Sequence, residues 1–147
     1  MRTKILCLLG VLVLFAGTAH AGAQEDVTGT LQKYLQALEA GDVTTVQGIY
    51  TPDTAQMMAK RPVSSGMMAH EATTIKGCGQ MLVLVKKSRA VVAFPHGSKQ
   101  CTPYFLRLTD GGWNLDFATM MHVIRFDGGN NWWIDRTVKN PYGFAFQ

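Results

Sequence analysis

The chain has 147 residues, a length that suits one domain with a substantial core and is too short for two. Its formal net charge is +4, but Arg2 and Lys4 lie in a segment that we expect to be removed. That removal leaves 12 of the 14 basic residues against 10 acidic ones, a net charge of +2, which does not favour nucleic-acid binding.

Residues 1–21 have the features of an export signal. Two basic residues precede an apolar run over 5–15, and Ala19-His20-Ala21 is a small-x-small cleavage site. The run is shorter than the roughly 20 residues that span a bilayer. We expect cleavage after Ala21, one domain over residues 22–147, and a periplasmic or secreted protein without stable membrane insertion.

Cleavage there would remove Cys7 and leave Cys78 and Cys101. In an oxidising compartment two cysteines most simply form one disulfide, and a pair of buried free thiols is the alternative. Neither cysteine has a histidine or a second cysteine at ligand spacing, so we expect no metal site. No glycine-rich phosphate loop follows a strand, and no cofactor is expected.

Two helices are predicted in the first third of the chain. Apolar residues over 27–38 recur at helical spacing and predict an amphipathic helix that ends at Gly41. Asp42 is expected to cap a second, short helix over 43–50, which Pro52 terminates.

A less regular stretch leads to a third predicted helix over 67–76, capped by Ser64 or Ser65. Strand patterns separated by turn residues follow. The predicted strands are 81–85, 90–94, 104–108, 113–117, 121–126 and 132–138. Lys86-Lys87-Ser88-Arg89 lies between the first two and is expected to be a solvated hairpin tip rather than a phosphate-binding patch.

The alternating residues Tyr142, Phe144 and Phe146 predict a last edge strand or a tail packed on the sheet. Helices followed by an antiparallel meander predict an α+β fold with helices on one face of the sheet.

The segments Tyr34–Asp42 (YLQALEAGD) and Ile49–Asp53 (IYTPD) resemble the opening of the NTF2-like superfamily, which includes SnoaL-like and ketosteroid-isomerase-like proteins. The turn Arg125–Gly129 with Trp132 or Trp133 after it is also of that type. This resemblance implies a cystatin-like cone, in which three helices pack on a strongly curved sheet and leave a pocket at the open end. The family contains enzymes and binding modules, so the fold alone does not settle the function.

The resemblance to ketosteroid isomerases implies candidate catalytic residues. Tyr34 matches their enolate-stabilising tyrosine, and His122 falls where a carboxylic acid would be; the proton-shuttling Asp has no counterpart. On the predicted strand His122 shares a face with Ile124, so it is either a general base or a satisfied buried histidine. Asp116 is expected to face solvent, with an inward orientation toward His122 as the alternative.

Two further patterns concern ligands. His70-Glu71 begins like a zinc-protease motif, which fails because Thr74 stands where the second histidine would be. Methionines line adaptable apolar pockets, although they are also ordinary core residues. The predicted ligand-binding residues at a pocket mouth are Met57, Met58, Met67, Met68 and Phe117.

These observations favour an exported, non-catalytic NTF2-like domain that binds a small apolar ligand or a periplasmic protein partner. The first alternative is an isomerase-like or dehydratase-like enzyme that uses Tyr34 and His122, with Asp116 as an orienting group. The second is a dimeric scaffold or secretion-apparatus component that uses the outer sheet face and Trp132 and Trp133.

Overall fold

A computed structural model describes residues 18–147 of the chain. The predictions made for Arg2, Lys4, Cys7 and the apolar run of the export signal lie outside the described residues. The elements are α1 (Thr18–Ala40), α2 (Val43–Gly48), α3 (Pro52–Met58), α4 (Ser65–Gly77), β1 (Leu82–Lys86), β2 (Arg89–Ala93), β3 (Tyr104–Thr109), β4 (Gly112–Leu115), α5 (Phe117–Val123), β5 (Ile124–Phe126), β6 (Trp132–Ile134) and a 3₁₀ turn (Gly143–Ala145).

The first two helices confirm the prediction. The buried side of α1 carries Val27, Leu31 and Tyr34, which recur at helical spacing. Gly41 has a φ of 66°, the left-handed conformation that glycine adopts without strain where a helix ends. The carboxylate of Asp42 then accepts a hydrogen bond of 3.0 Å from the backbone N–H of Thr45 and caps α2.

The stretch predicted to be less regular contains α3, so four helices rather than three precede the sheet. Thr51 caps α3 by accepting a hydrogen bond from the N–H of Thr54. Pro52 occupies the start of this helix, where its missing N–H and fixed φ are tolerated. The proline therefore begins α3, whereas the sequence predicts only that it ends α2.

The third predicted helix is α4, with Ser64 as its cap. A disulfide joins Cys78, which follows α4, to Cys101 in the loop before β3, and this confirms the predicted bridge. A Cβ on Gly97 would lie 3.0 Å from the sulfur of Cys101, so only glycine fits against the bridge without a shift. The indole N–H of Trp132 donates to the carbonyl of Cys101 at 3.0 Å and holds this loop against β6.

The helices pack against an antiparallel sheet with the strand order β1-β2-β3-β4, which establishes an α+β architecture. The sheet is not strongly curled, unlike the strongly curved sheet that was expected. The three ladders keep an unbroken register from strand to strand. They therefore lack the bulges that introduce strong curvature into sheets.

Both faces of the sheet are covered. On β3, Tyr104 points to the helices and Phe105 to the opposite side, where its ring stacks on that of Tyr142 at 4.3 Å. On β2, Val91 and Val92 face opposite sides and neither is exposed. Residues 140–147, the tail segment, thus pack on the sheet, as one of the two predictions for them stated.

The strand predictions after β4 were partly wrong. Residues 117–123 form α5 instead of parts of two strands, and pairing is limited to Ile124–Phe126 with Trp132–Ile134. Asp116 caps α5, and burial of Met120 and Val123 follows the spacing of a helix rather than the alternation of a strand. A short apolar run does not by itself distinguish the two.

The predicted cleavage point after Ala21 lies within α1, which has 23 residues. Among the helices of residues 18–147, none is both long and apolar enough to cross a membrane.

Candidate functional site

Five side chains from five parts of the chain meet where the helices pack on the sheet. Tyr34 comes from α1, Tyr50 from the segment after α2, Glu71 from α4, Tyr104 from β3 and Phe117 from α5. The ring of Phe117 lies 6.0 Å from that of Tyr34, 5.7 Å from that of Tyr50 and 6.0 Å from that of Tyr104. We call this set the aromatic–acid cluster.

Backbone hydrogen bonds to β4 position Tyr50. The N–H of Leu115 donates to the carbonyl of Ile49 at 2.8 Å, and the N–H of Thr51 donates to the carbonyl of Leu115 at 2.9 Å. Residues 49–51 therefore lie along β4 and bring Tyr50 beside the start of α5. The hydroxyl of Thr54 accepts the N–H of Ala118 at 3.1 Å and joins α3 to the same helix.

Glu71 is the acid of the cluster. The hydroxyl of Tyr104 donates to its carboxyl at 2.9 Å. Burial raises the pKa of the carboxyl above its ordinary value, and the hydroxyls of Tyr104 and Tyr34 only partly offset that shift. Glu71 therefore takes up a proton more readily than a carboxyl in water does.

The three tyrosines remain protonated well above their ordinary range. Burial, followed by the charge of Glu71, raises the pKa of Tyr34. The same two causes raise the pKa of Tyr104, and they raise the pKa of Tyr50 to about 12. At neutral pH the cluster therefore presents hydroxyl groups that can donate hydrogen bonds, set among apolar rings.

Two members of the cluster are partly exposed to solvent. Tyr34, Tyr50 and Tyr104 are buried, whereas Glu71 and Phe117 are half-buried. Met67 lies four residues before Glu71 on α4, which places it on the same side of the helix, and it is 57% exposed. An apolar surface thus continues outward from the half-buried carboxyl.

The other predicted ligand residues lie on two helices. Met68 is buried on α4, and Met57 and Met58 are half-buried at the end of α3. Segment 57–68 connects α3 to α4. The first of these helices packs on α5, which carries Phe117, and the second carries Glu71. Phe117 is the predicted ligand residue that the structure brings into direct contact with Tyr34.

The structure does not bring His122 and Tyr34 together. His122 lies in the last turn of α5 and is exposed, so its predicted position on an inner strand face is wrong. No hydrogen bond joins it to Tyr34 or Asp116 within the described part of the chain.

Asp116 is 2% exposed, so the prediction that it faces solvent is also wrong. Its carboxylate accepts hydrogen bonds from the backbone N–H and hydroxyl of Thr119 at 3.1 and 2.9 Å. The hydroxyl of Tyr142 donates to it at 2.7 Å. These bonds cap α5 and tie the tail segment to it, on the side of the sheet opposite to the helices α1 and α4.

Open cavities of 330 to 530 Å³ occur on the surface of residues 18–147. Their walls include no residue of the aromatic–acid cluster, and neither His122 nor the four methionines of the predicted mouth. Over the same residues, no three His, Cys, Asp or Glu side chains are grouped so that they could hold a metal ion.

The sequence indicates no role for Glu71 beyond the failed zinc motif. A signal for its position was present, because Met68, Glu71, Ala72 and Ile75 follow the spacing of one helix face. The other three are buried. A carboxyl in an apolar stripe indicates either a buried partner or a site, and here the partner is Tyr104.

Comparison of the chain with protein-family models, with curated proteins and with solved structures found no match. The resemblance to the NTF2-like superfamily accordingly stands on the sequence segments described above.

Proposed function

We propose that this protein is an exported, non-catalytic NTF2-like domain that binds a small apolar ligand at the aromatic–acid cluster. Segment 57–68 would form the rim of the site, and Glu71 with Tyr104 and Tyr34 would hold one polar group of the ligand. The half-buried carboxyl of Glu71, which accepts a hydrogen bond from the hydroxyl of Tyr104 and lies among aromatic rings, carries this proposal.

The chemistry of the cluster supports a ligand of this type. Small-molecule sites are mostly apolar and contain a few polar groups that orient the ligand. Half-buried Phe117 and exposed Met67 supply apolar surface. The hydroxyls of Tyr34 and Tyr50 supply donors for a carbonyl or hydroxyl oxygen, since Tyr104 already donates to Glu71. The disulfide is consistent with an oxidising compartment, which supports the periplasmic or secreted location.

The test uses N-phenyl-1-naphthylamine, an uncharged apolar probe whose fluorescence rises on binding. We expect saturable binding by the wild type. Met67→Gln removes exposed apolar surface at the rim without disturbing the core, and it should weaken binding by about 1 kcal/mol, roughly fivefold. Native mass spectrometry of the protein recovered from the periplasm would then look for a co-purified small molecule.

Leu82→Gln is the matched control, because Leu82 is 47% exposed on β1 and lines a separate groove beside α1. It should bind the probe as the wild type does. Absence of saturable binding would contradict the proposal. Loss of binding in Leu82→Gln, with Met67→Gln unaffected, would place the apolar site beside α1 instead.

One alternative is favoured by the coupling of Tyr34 and Glu71. The carboxyl of Glu71 raises the pKa of Tyr34, and the hydroxyl of Tyr34 lowers that of Glu71. A tyrosine hydroxyl and a carboxylic acid in its protonated form can both donate hydrogen bonds to a developing enolate oxygen. An isomerase-like enzyme would therefore use Tyr34 and Glu71, with His122 uninvolved. Isomerisation of 3-cyclohexen-1-one tests it: turnover that is lost in Tyr34→Phe and kept in His122→Ala supports the enzyme, and no turnover removes it.

A further inference from the structure

A groove of about 530 Å³ separates the β1–β2 turn from the tail segment. Lys86, Lys87 and Arg89 line it on the turn side, and Asn140 and Phe144 line it on the tail side. We call this the basic groove. The sequence predicts a solvated hairpin tip for these cations, but the tail segment forms a second wall opposite them.

The positive charges of the basic groove are not neutralised by carboxylates of the described chain. Residues 18–147 contain three ion pairs, and none of them involves a residue of this groove. They are Lys76–Glu39, Arg107–Asp53 and Arg125–Asp135. Three cations on one small cavity without an anionic partner attract an anion from solution.

The guanidinium of Arg89 is held by neighbours in the wall of the groove. One terminal nitrogen donates to the carbonyl of Ser88 at 3.1 Å and to its hydroxyl at 3.0 Å. The group also lies 5.9 Å from the centre of the Tyr142 ring. Its Nε–H is buried and has no hydrogen-bond partner among residues 18–147, so this fixed cation keeps unused donor capacity.

The turn holds a lysine where the backbone favours a different residue. Lys87 has a φ of 55°, a conformation that is common for glycine and asparagine and unfavourable for lysine. The register pairs Lys86 with Arg89, so Lys87 and Ser88 form the two-residue turn between them. Glycine would be less strained at this position.

A second groove of about 330 Å³ lies on the other side of the tail segment and shares Asn140 and Gly143 with the first. Arg136 and Lys139 line it. The positive charge therefore extends beyond one cavity, around residues 140–147.

We propose that the basic groove binds a small phosphate-bearing anion. Lys86 and Lys87 would supply charge at its mouth, and the guanidinium of Arg89 would supply directed donors, which match phosphate oxygens well. A cavity of this volume has room for a small molecule or a single headgroup. The anion could be a free phosphate compound or the headgroup of an anionic lipid, and both present the same chemistry to these side chains.

The experiment titrates the full chain with inorganic phosphate and with pyrophosphate by isothermal calorimetry at low salt. We expect binding that is tighter for pyrophosphate and weaker at high ionic strength. Lys86→Gln and Lys87→Gln should each weaken it about tenfold, as expected for loss of a charge-assisted bond. Lys60→Gln makes the same charge change on the exposed α3–α4 loop and should leave binding unchanged.

Flotation with vesicles separates the two sources of phosphate. Capture by phosphatidylglycerol vesicles but not phosphatidylcholine vesicles, lost in Lys87→Gln, assigns the groove to a lipid headgroup. Binding of the free anions without vesicle capture assigns it to a soluble compound. The proposal is overturned if neither probe binds, or if Lys60→Gln weakens binding as much as Lys87→Gln does. Binding of the apolar probe should be unchanged in both groove variants, so this test is independent of the aromatic–acid cluster.

Discussion

The two faces of the sheet each hold a carboxyl bonded by a tyrosine, but the two pairs differ in their surroundings. Glu71 is half-buried and takes its hydrogen bond of 2.9 Å from Tyr104. Asp116 is 2% exposed and takes one of 2.7 Å from Tyr142, together with two from Thr119. Asp116 is therefore satisfied by the fold, whereas Glu71 retains capacity for a further partner.

This difference separates a structural carboxyl from a candidate site. A buried carboxylate that caps a helix and anchors a tail is satisfied by the fold, as Asp116 is by three hydrogen bonds. A carboxyl with a raised pKa, bonded by few partners and open to solvent on one side, is the more usual arrangement at a functional site. Variants that perturb one pair, with the other pair as the reference, test this difference.

The largest effect is expected from the disulfide, which ties the end of α4 to the loop before β3 and so braces the Glu71–Tyr104 pair. A bridge that spans 23 residues should contribute roughly 3–4 kcal/mol in the chain-entropy model. Replacing both Cys78 and Cys101 by alanine should lower the free energy of unfolding by that amount, measured by urea denaturation. Hydrogen exchange should then increase in α4 more than in α5. An equal increase in the two helices would contradict this bracing role.

The second largest effect on stability is expected from Asp116, on the opposite face of the sheet. Asp116→Ala removes the cap of α5 and leaves the buried hydroxyl of Tyr142 without its acceptor, so it should cost about 2–3 kcal/mol in the free energy of unfolding. Asp116→Asn can still cap the helix and should cost only about 1 kcal/mol. Equal losses in the two variants would show that the cap contributes nothing.

The comparison of the two faces also shows which parts of the structure can be predicted from the sequence. The amphipathic α1, the caps at Asp42 and Ser64, the hairpin around 86–89 and the disulfide were predictable, because each depends on local spacing or on a cysteine pair. Asp116 was misassigned because a strand and a short capped helix share the same apolar pattern over 117–123.

The candidate site was harder to predict, because its members come from five separate parts of the chain. Tyr34 and Phe117 are predicted as site residues for other reasons, and the pattern around Tyr104 predicts only a strand. Glu71 is a candidate site residue because it pairs with Tyr104, which lies 33 residues away in sequence. Such a pairing depends on how α4 packs on β3, and no local pattern encodes it.

The smallest effect is a pH dependence at Glu71. Because its pKa is raised in the folded state, the folded protein binds the proton more tightly than the unfolded chain does. The stability from protonated Glu71 is therefore complete below the ordinary pKa and is lost as the pH rises through the raised value. Glu71→Gln has no titratable group at this position and lacks this loss. The free energy of unfolding of the variant minus that of the wild type should therefore increase between pH 4 and pH 8. Urea denaturation across that range measures the difference.

Tyr104→Phe sharpens the same test, because the hydroxyl of Tyr104 lowers the pKa of Glu71 and opposes the effect of burial. Removing that hydroxyl should raise the pKa of Glu71 further and move its loss of stability to higher pH. Tyr142→Phe removes the corresponding hydroxyl from Asp116 and should lower stability without moving that transition. If the two tyrosine variants shift the pH profile alike, Glu71 does not titrate within the aromatic–acid cluster, and the distinction between the two faces fails.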